Sequence, residues 1–324
     1  MRFWSKLAAA ATLFLGSQAW AQGATQPPYP SRPVTVIVPF AAGGPADLVG
    51  RAVTTRISGA LGRPFIVDNK AGAGGALGSA LAAKAAPDGY TLVIANPGSH
   101  GTTPLVQRDA TYDPASDFTA IAQLGSATFV LVCNPALPIR TADELIAYLK
   151  ANPGKVRYGS AGIGSNVHFI GEYFKQRTGT DMQHVPYRGA GPMMNDLLAG
   201  TIECTFDSSA KPHIDAGRLR ALAVTSDTRD AFYPNVPTLQ EVGIAGFNIT
   251  SWQALLGPRG MPAPLVRQLN QAANSALQGR ETADQLAGIG FRPGMGTPED
   301  MQKLLERDRN LYREISKSAK IELQ

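Results

Sequence analysis

Short runs of β-branched and apolar residues alternate along most of the chain with stretches in which apolar residues return every three or four positions. That alternation predicts strand–helix–strand units around parallel-rich sheets, an α/β fold. Val34 to Val38 reads as the first strand. A connection from Pro39 to Gly44 leads into a helix with Pro45 in its first turn, Val49, Val53, Ile57 and Leu61 on one face, and Gly62 at its end. Phe65-Ile66-Val67 precedes an Ala-rich helix at about 77–85, and the strand Thr91 to Ala95 precedes Asn96-Pro97-Gly98-Ser99. Thr141 and Glu144 form a capping-box pattern for a helix that stops at Asn152-Pro153-Gly154, and Val156-Arg157-Tyr158 predicts the start of a second sheet. Near the end, Pro264 to Leu277 and Thr297 to about Lys317 are amphipathic helical patterns, and no strand is expected between them. No tandem repeat or heptad run is present, so solenoids and coiled coils are excluded.

The N-terminus sets the expected compartment. Arg2 and Lys6, the apolar run Leu7 to Gly16 and the small residues of Ala19-Trp20-Ala21 predict a signal peptide over 1–21, cleaved after about Ala21. The apolar run is well short of the ~20 residues that span a bilayer. Without Arg2 and Lys6, 28 basic residues face 25 acidic ones. The basic residues are scattered rather than gathered on one element, which argues against nucleic acid as a partner. A modest positive charge suits an anionic small ligand. Cys133 and Cys204 are the two cysteines; in an oxidising compartment they could pair, but both sit in apolar strand-like runs, and two buried thiols are the expectation.

Catalytic signatures are absent. There is no His-Glu-x-x-His, Gly-x-Ser-x-Gly, Cys-x-x-Cys or Walker loop, and His100, His168, His184 and His213 are scattered. No enzyme activity, metal or cofactor is therefore expected. Two glycine-rich stretches, Gly72 to Gly78 and Ser160 to Ser165, follow strands and open helices, but neither gives a clean Gly-x-Gly-x-x-Gly dinucleotide loop.

Their physics still points to anions. A turn without side chains exposes backbone N–H groups, and a helix N-terminus adds partial positive charge, worth about 0.3–1 kcal/mol when exposed and up to ~2 when sheltered. Four such connections come directly after strands: Pro39 to Asp47, Asn96 to Thr103, Ser160 to His168 and the turn Asp207-Ser208-Ser209. Ligands of open α/β sheets sit at the carboxyl ends of strands. The candidate ligand-binding residues are Phe40, Ala41, Ala42, Gly43, Gly44 and Asp47 on the first loop, and Gly98 and Ser99 on the second. Ser160, Gly162, Gly164, Ser165 and His168 come from the third, and Asp207 from the fourth. Asp207 has two readings, a partner for a ligand ammonium or a cap of its own turn; Asp47 has the parallel alternative of favouring its helix's first turn.

An ordered set of segments resembles the substrate-binding proteins of tripartite tricarboxylate transporters, the Bug family. It runs through Tyr29-Pro30-Ser31-Arg32-Pro33, Val38-Pro39-Phe40-Ala41-Ala42-Gly43-Gly44-x-x-Asp47, Gly72-Ala73-Gly74-Gly75 and Ala86-Pro87-Asp88-Gly89-Tyr90. It continues through Tyr158-Gly159-Ser160-x-Gly162-x-Gly164-Ser165-x-x-His168, His184-Val185-Pro186-Tyr187-Arg188-Gly189, Leu219 to Thr225 and Val236-Pro237-Thr238. The resemblance implies a two-domain periplasmic binding protein of type II-like fold, with a ligand cleft between domain one, about 28–124 plus 254–324, and domain two, about 125–253. It also implies ligand carboxylates held by Phe40 to Asp47 and Gly162 to Ser165, partly through waters, with Phe40 packing the carbon skeleton and Tyr187 joining the set.

The function this implies is a monomeric periplasmic receptor. It would capture a di- or tricarboxylate, an aromatic carboxylate or an acidic amino acid for the membrane subunits of a tripartite transporter. A ligand-sensing subunit that presents its closed form to a signalling receptor is the alternative, and a secreted hydrolase a weaker one.

Overall fold

The computed structural model describes residues 28–107 and 111–318, so the expected signal peptide lies outside the described residues. The first sheet-and-helix unit begins as the hydrophobic pattern predicts. Strand β1 (Val34–Val38) is followed by α1 (Pro45–Leu61), whose first turn holds Pro45 and whose end is closed by Gly62 in the left-handed conformation. Strands β2 (Phe65–Asn69) and β3 (Thr91–Ala95) flank β1 in parallel, with α2 (Ala76–Ala83) between them. A short helix α3 (Thr103–Val106) comes after β3. Strand β4 (Phe118–Thr128) then carries the chain out of this unit and into β5 (Val130–Cys133).

The second sheet is built from β5, β6 (Arg157–Ser160), β7 (Gln183–Pro186), β8 (Cys204–Asp207) and β9 (Arg220–Val224). Its helices are α4 (Ala142–Ala151), α5 (Asn166–Thr178), α6 (Ala190–Ala199) and α7 (Lys211–Asp215). The capping pattern at the start of α4 is realised, because the Thr141 hydroxyl accepts from the Glu144 N–H at 3.2 Å. The chain returns through β10 (Thr250–Pro258) and finishes with α8 (Ala263–Gln278), α9 (Arg280–Gly288), β11 (Arg292–Pro293) and α10 (Pro298–Ser318).

The strand orders are β11-β4-β10-β3-β1-β2 and β7-β6-β8-β5-β9. Each sheet thus repeats one scheme: three strands joined in parallel through their first member, then the strand that has just crossed from the other unit, then the strand after which the chain leaves, with β11 added beyond it in the first sheet. Parallel pairing holds for β1 with β2 and β3, and for β6 with β7 and β8. The crossing strands β10 and β5 run antiparallel to both neighbours, because each enters its sheet from the opposite unit. Positions 125 and 253 face each other in the β4–β10 ladder.

Two expectations are corrected. A strand does lie between the two C-terminal helical patterns: β11 pairs antiparallel with β4 over two residues, too few to leave any periodicity in the sequence. The cysteines are not free thiols. Cys133 and Cys204 stand directly opposite each other in the β5–β8 ladder and are joined by a disulfide. Their apolar surroundings suggested inert thiols, whereas the pairing is decided by strand register, which local sequence does not encode.

Each sheet has a core beneath it, and Val106 of α3 with Tyr312 and Ile315 of α10 reach into the second. Val36, Val49, Val53, Ile57, Leu255 and Leu269 are among the fully buried residues of the first, and Leu131, Leu145, Phe169, Phe174 and Phe206 among those of the second. With both faces of each sheet covered by helices, the central strands read as continuous apolar runs.

Candidate functional site

Between the units lies a cavity lined by residues of both, Phe40, Gly44, Asn166 and Asp207 among them. Three helices of eight residues or more begin on its wall: α1 at Pro45 and Ala46, α5 at Asn166 and Val167, and α6 at Ala190. The first helical N–H groups have no partner within their helix, and neither α1 nor α6 has a side-chain cap to occupy them. Among the described residues lining the cavity there is no Lys, Arg or His. Attraction for an anion there would come from the helix termini.

The first loop is held from beneath. Asp47, buried in the first turn of α1, accepts from the Gly43 N–H at 3.0 Å through Oδ2. Its Oδ1 accepts from Arg51 Nε at 2.9 Å and from Asn69 Nδ2 at 3.0 Å. The same Asn69 amide donates to the Phe40 carbonyl at 3.0 Å. Asp47 therefore shapes the loop, and it is not among the cavity's lining residues. Phe40 lines the cavity and is buried. Its ring lies so close to Gly75 that a Cβ there would sit 2.9 Å from Cζ, which accounts for a glycine at that place in the Gly72–Gly75 turn.

The loop after β6 is fixed by two histidines. The Gly164 N–H donates to His168 Nδ1 at 3.3 Å, and Ser160 Oγ shares a 2.6 Å hydrogen bond with His184 Nε2. The two imidazoles stack at 4.3 Å. Burial lowers the pKa of both, that of His184 to about 3, so both rings are neutral and His168 Nδ1 keeps the lone pair its contact requires. Ser165 caps α5 by accepting from the His168 N–H at 3.4 Å.

Above the cavity the units touch. The Thr103 hydroxyl donates to the carbonyls of Gly74 at 2.8 Å and Gly164 at 3.2 Å, and Gln107 Nε2 donates to the Ile163 carbonyl at 3.2 Å. On another edge the Ala41 N–H reaches the Arg188 carbonyl at 3.4 Å. A Cβ on Gly191 would collide with the Ala42 carbonyl oxygen, so this seam also depends on bare backbone.

Of the residues singled out from sequence, Phe40, Gly44 and Asp207 line the cavity itself. Gly162 and Tyr187 border a neighbouring groove that shares Phe40. The Tyr187 hydroxyl donates to Asp196 at 2.7 Å, and burial followed by that contact raises its pKa to about 12. Ala41, Ala42 and Gly43 belong to the contacts around the first loop, whereas Ser160, Gly164, Ser165 and His168 organise the third. Gly98 and Ser99 open a helical turn in which the Ser99 N–H donates to Asn96 Oδ1 at 2.9 Å; Asn96, not either of them, lines the cavity. Asp207 Oδ1 accepts from the Ser209 N–H at 2.6 Å and the Ser209 hydroxyl at 2.9 Å, the turn-capping pattern, and burial raises its pKa to about 6. Sequence reasoning missed Asn96, Asn166, Ser208, Ser251 and Gln253. Gln253 left a signal, as a lone amide between Trp252 and Ala254-Leu255-Leu256 in a run otherwise fit for a buried strand.

Two sheet-and-helix units enclosing an anion-suited cavity define a solute-binding protein of the periplasmic type. Residues 49–320 match the family model described as "Tripartite tricarboxylate transporter family receptor". The chain belongs to that family, which includes the Bug proteins. BugT of Bordetella pertussis is 35% identical over 302 residues, covering 91% of each chain. The periplasmic binding protein BugD superposes with a TM-score of 0.87 at 32% identity, covering 91% of this chain and all of that one. R. palustris Rpa4515 with adipate does so with a TM-score of 0.88 at 36% identity and the same coverage. No group of three or more His, Cys, Asp or Glu among the described residues could hold a metal ion, and no helix among them is long and apolar enough to cross a membrane.

Proposed function

We propose that the chain is an exported receptor, cleaved after about Ala21, that captures a small carboxylate as a monomer and delivers it unchanged to the membrane subunits of a tripartite tricarboxylate-type transporter. The observation that carries this reading is the convergence of three helix N-termini on a cavity whose lining has no cationic side chain. Backbone amides hold a carboxylate without fixing the rest of the ligand, and the adipate-bound relative supports that class. The units 28–124 with 254–324, and 125–253, are the two domains of this proposal. Phe40, Gly44, Asn166 and Asp207 form its ligand walls, and Phe40 packs the carbon skeleton.

The test is a thermal-shift panel of mono-, di- and tricarboxylates on ligand-stripped protein, followed by calorimetry and recovery of the ligand. At 100 times its dissociation constant a true ligand adds about 2.7 kcal/mol of stability. One-to-one binding with the acid recovered intact is expected. No stabilisation by any carboxylate, or recovery of a modified product, would overturn the reading.

A further inference from the structure

A buried polar atom without a partner is scarce in folded proteins, because leaving it unpaired costs about 1–3 kcal/mol. Two such atoms belong to residues that line the cavity: Ser208 Oγ and Gln253 Oε1. Both residues are nearly inaccessible, at 2% and 1% of their surface. Three other polar lining residues, Asn96, Asn166 and Asp207, already serve their own loops. Asn96 Oδ1 accepts from the Ser99 N–H, Asn166 Oδ1 accepts from the Val167 N–H at 3.0 Å, and Asp207 Oδ1 accepts from Ser209.

The position of Gln253 is unusual for an amide. It lies on β10, where Ala254, Leu255 and Leu256 are fully buried, and the β4–β10 ladder shifts register between Gln253 and Ala254. Such irregularities re-aim side chains beside binding sites. An apolar residue would satisfy the packing of this strand better, and Gln253 instead keeps an unpaired carbonyl oxygen on a residue that lines the cavity. Ser208 comes from the other sheet, directly after the acceptor Asp207. Gln253 thus sits on a strand of the first sheet and Ser208 just past a strand of the second, and a single ligand that met both would also tie the two sheets together.

We infer that Gln253 and Ser208 are specificity residues, and that the ligand is a small carboxylate bearing a hydroxyl or amino group on its carbon skeleton. The inference rests on the carboxylate reading above. The carboxylate lies at the helix starts, and the substituent donates to Gln253 Oε1 and pairs with the Ser208 hydroxyl. A plain dicarboxylate leaves the Gln253 carbonyl unpaired, and the site selects against it by the cost of that orphan.

The experiment is calorimetry of the ligand-stripped full chain with two matched series: succinate, malate and aspartate, then glutarate, 2-hydroxyglutarate and glutamate. In at least one series the hydroxyl- or amino-bearing acid binds about ten-fold or more tighter than the plain acid. Gln253→Leu reduces that preference to about three-fold or less, with the melting temperature of the unliganded protein unchanged or raised, since an unpaired amide has been removed. Ser208→Ala, a smaller change, lowers the same preference. Equal or tighter binding of the plain acids in both series overturns the inference. So does a preference that survives Gln253→Leu, or a fall in the unliganded melting temperature, which would give the amide a structural role. Failure of every acid in both series to bind would remove the carboxylate reading itself, and this one with it.

Discussion

A carboxyl group buried among neutral groups holds its proton more tightly than one in water, and Asp207 is such a group, with its pKa raised by burial from 3.8 to about 6. The native state therefore binds the proton more tightly than the unfolded chain does. The resulting stabilisation is fully present below about pH 4 and is lost as the pH rises through about 6, to a total of about 3 kcal/mol. Asp207→Asn keeps an oxygen for the Ser209 contacts and does not titrate. Urea unfolding at pH 4, 5, 6 and 7 is expected to show the wild type losing stability relative to this variant between pH 4 and 6, with a constant gap above. A parallel pair of curves would mean that folding leaves the Asp207 pKa unshifted. His184 acts in the opposite direction: its lowered pKa makes its contribution present above about pH 6.5 and lost as the pH falls towards about 3. The comparison with the Asn variant cancels that background.

At the scale of elements, the start of α6 illustrates a residue chosen against its own helix. Gly191 lies inside α6, where alanine would favour the helix by about 1 kcal/mol. Yet a Cβ there collides with the Ala42 carbonyl, so Gly191→Ala should keep or raise the melting temperature of the unliganded protein. Ligand affinity should fall by about ten-fold or more as the seam is held apart. Unaltered affinity would mean that the seam plays no part in ligand capture. The contrast also explains what was legible beforehand. Strand β1 and helix α1 were read to the residue, because Pro45 and Gly62 are local signals and the apolar face repeats without interruption. The glycine loops are expected as anion sites from chain chemistry, but the residues facing the cavity depend on where two sheets meet. Asn166 was not singled out for that reason, and the disulfide stayed the lesser of two readings, since register and crossing are properties of pairs of strands. The two-residue β11 has too little sequence to carry a pattern.

For the whole molecule, the hydrogen bonds of Thr103, Gln107 and Ala41 join the units around the cavity, so the structure is a closed one. The covalent links between the sheets are the step from β4 to β5 at Phe129 and the return from β9 to β10, the arrangement of a hinge. A second tie crosses beside it: Arg292 on β11 holds Asp230, which follows β9, through two bonds of 2.8 and 2.7 Å. A ligand that touches both units stabilises the closed arrangement differentially. Small-angle scattering of stripped protein is therefore expected to show a smaller radius of gyration on saturation with a proven ligand. An unchanged radius would mean that the stripped protein is already closed.

The strand orders also bear on time. The second sheet is complete once residue 224 has been made, since β5 to β9 are consecutive in the chain. The first sheet has to wait, because β10 sits between β3 and β4 and is supplied only by residues 250–258. During synthesis the earliest strands thus stand as two separate pieces with an empty lane between them, while the part made later is already finished. Newly made chains stopped short of residue 250 should yield to protease within 28–128 while 130–224 resists, so the oldest part of the chain is the last to become native.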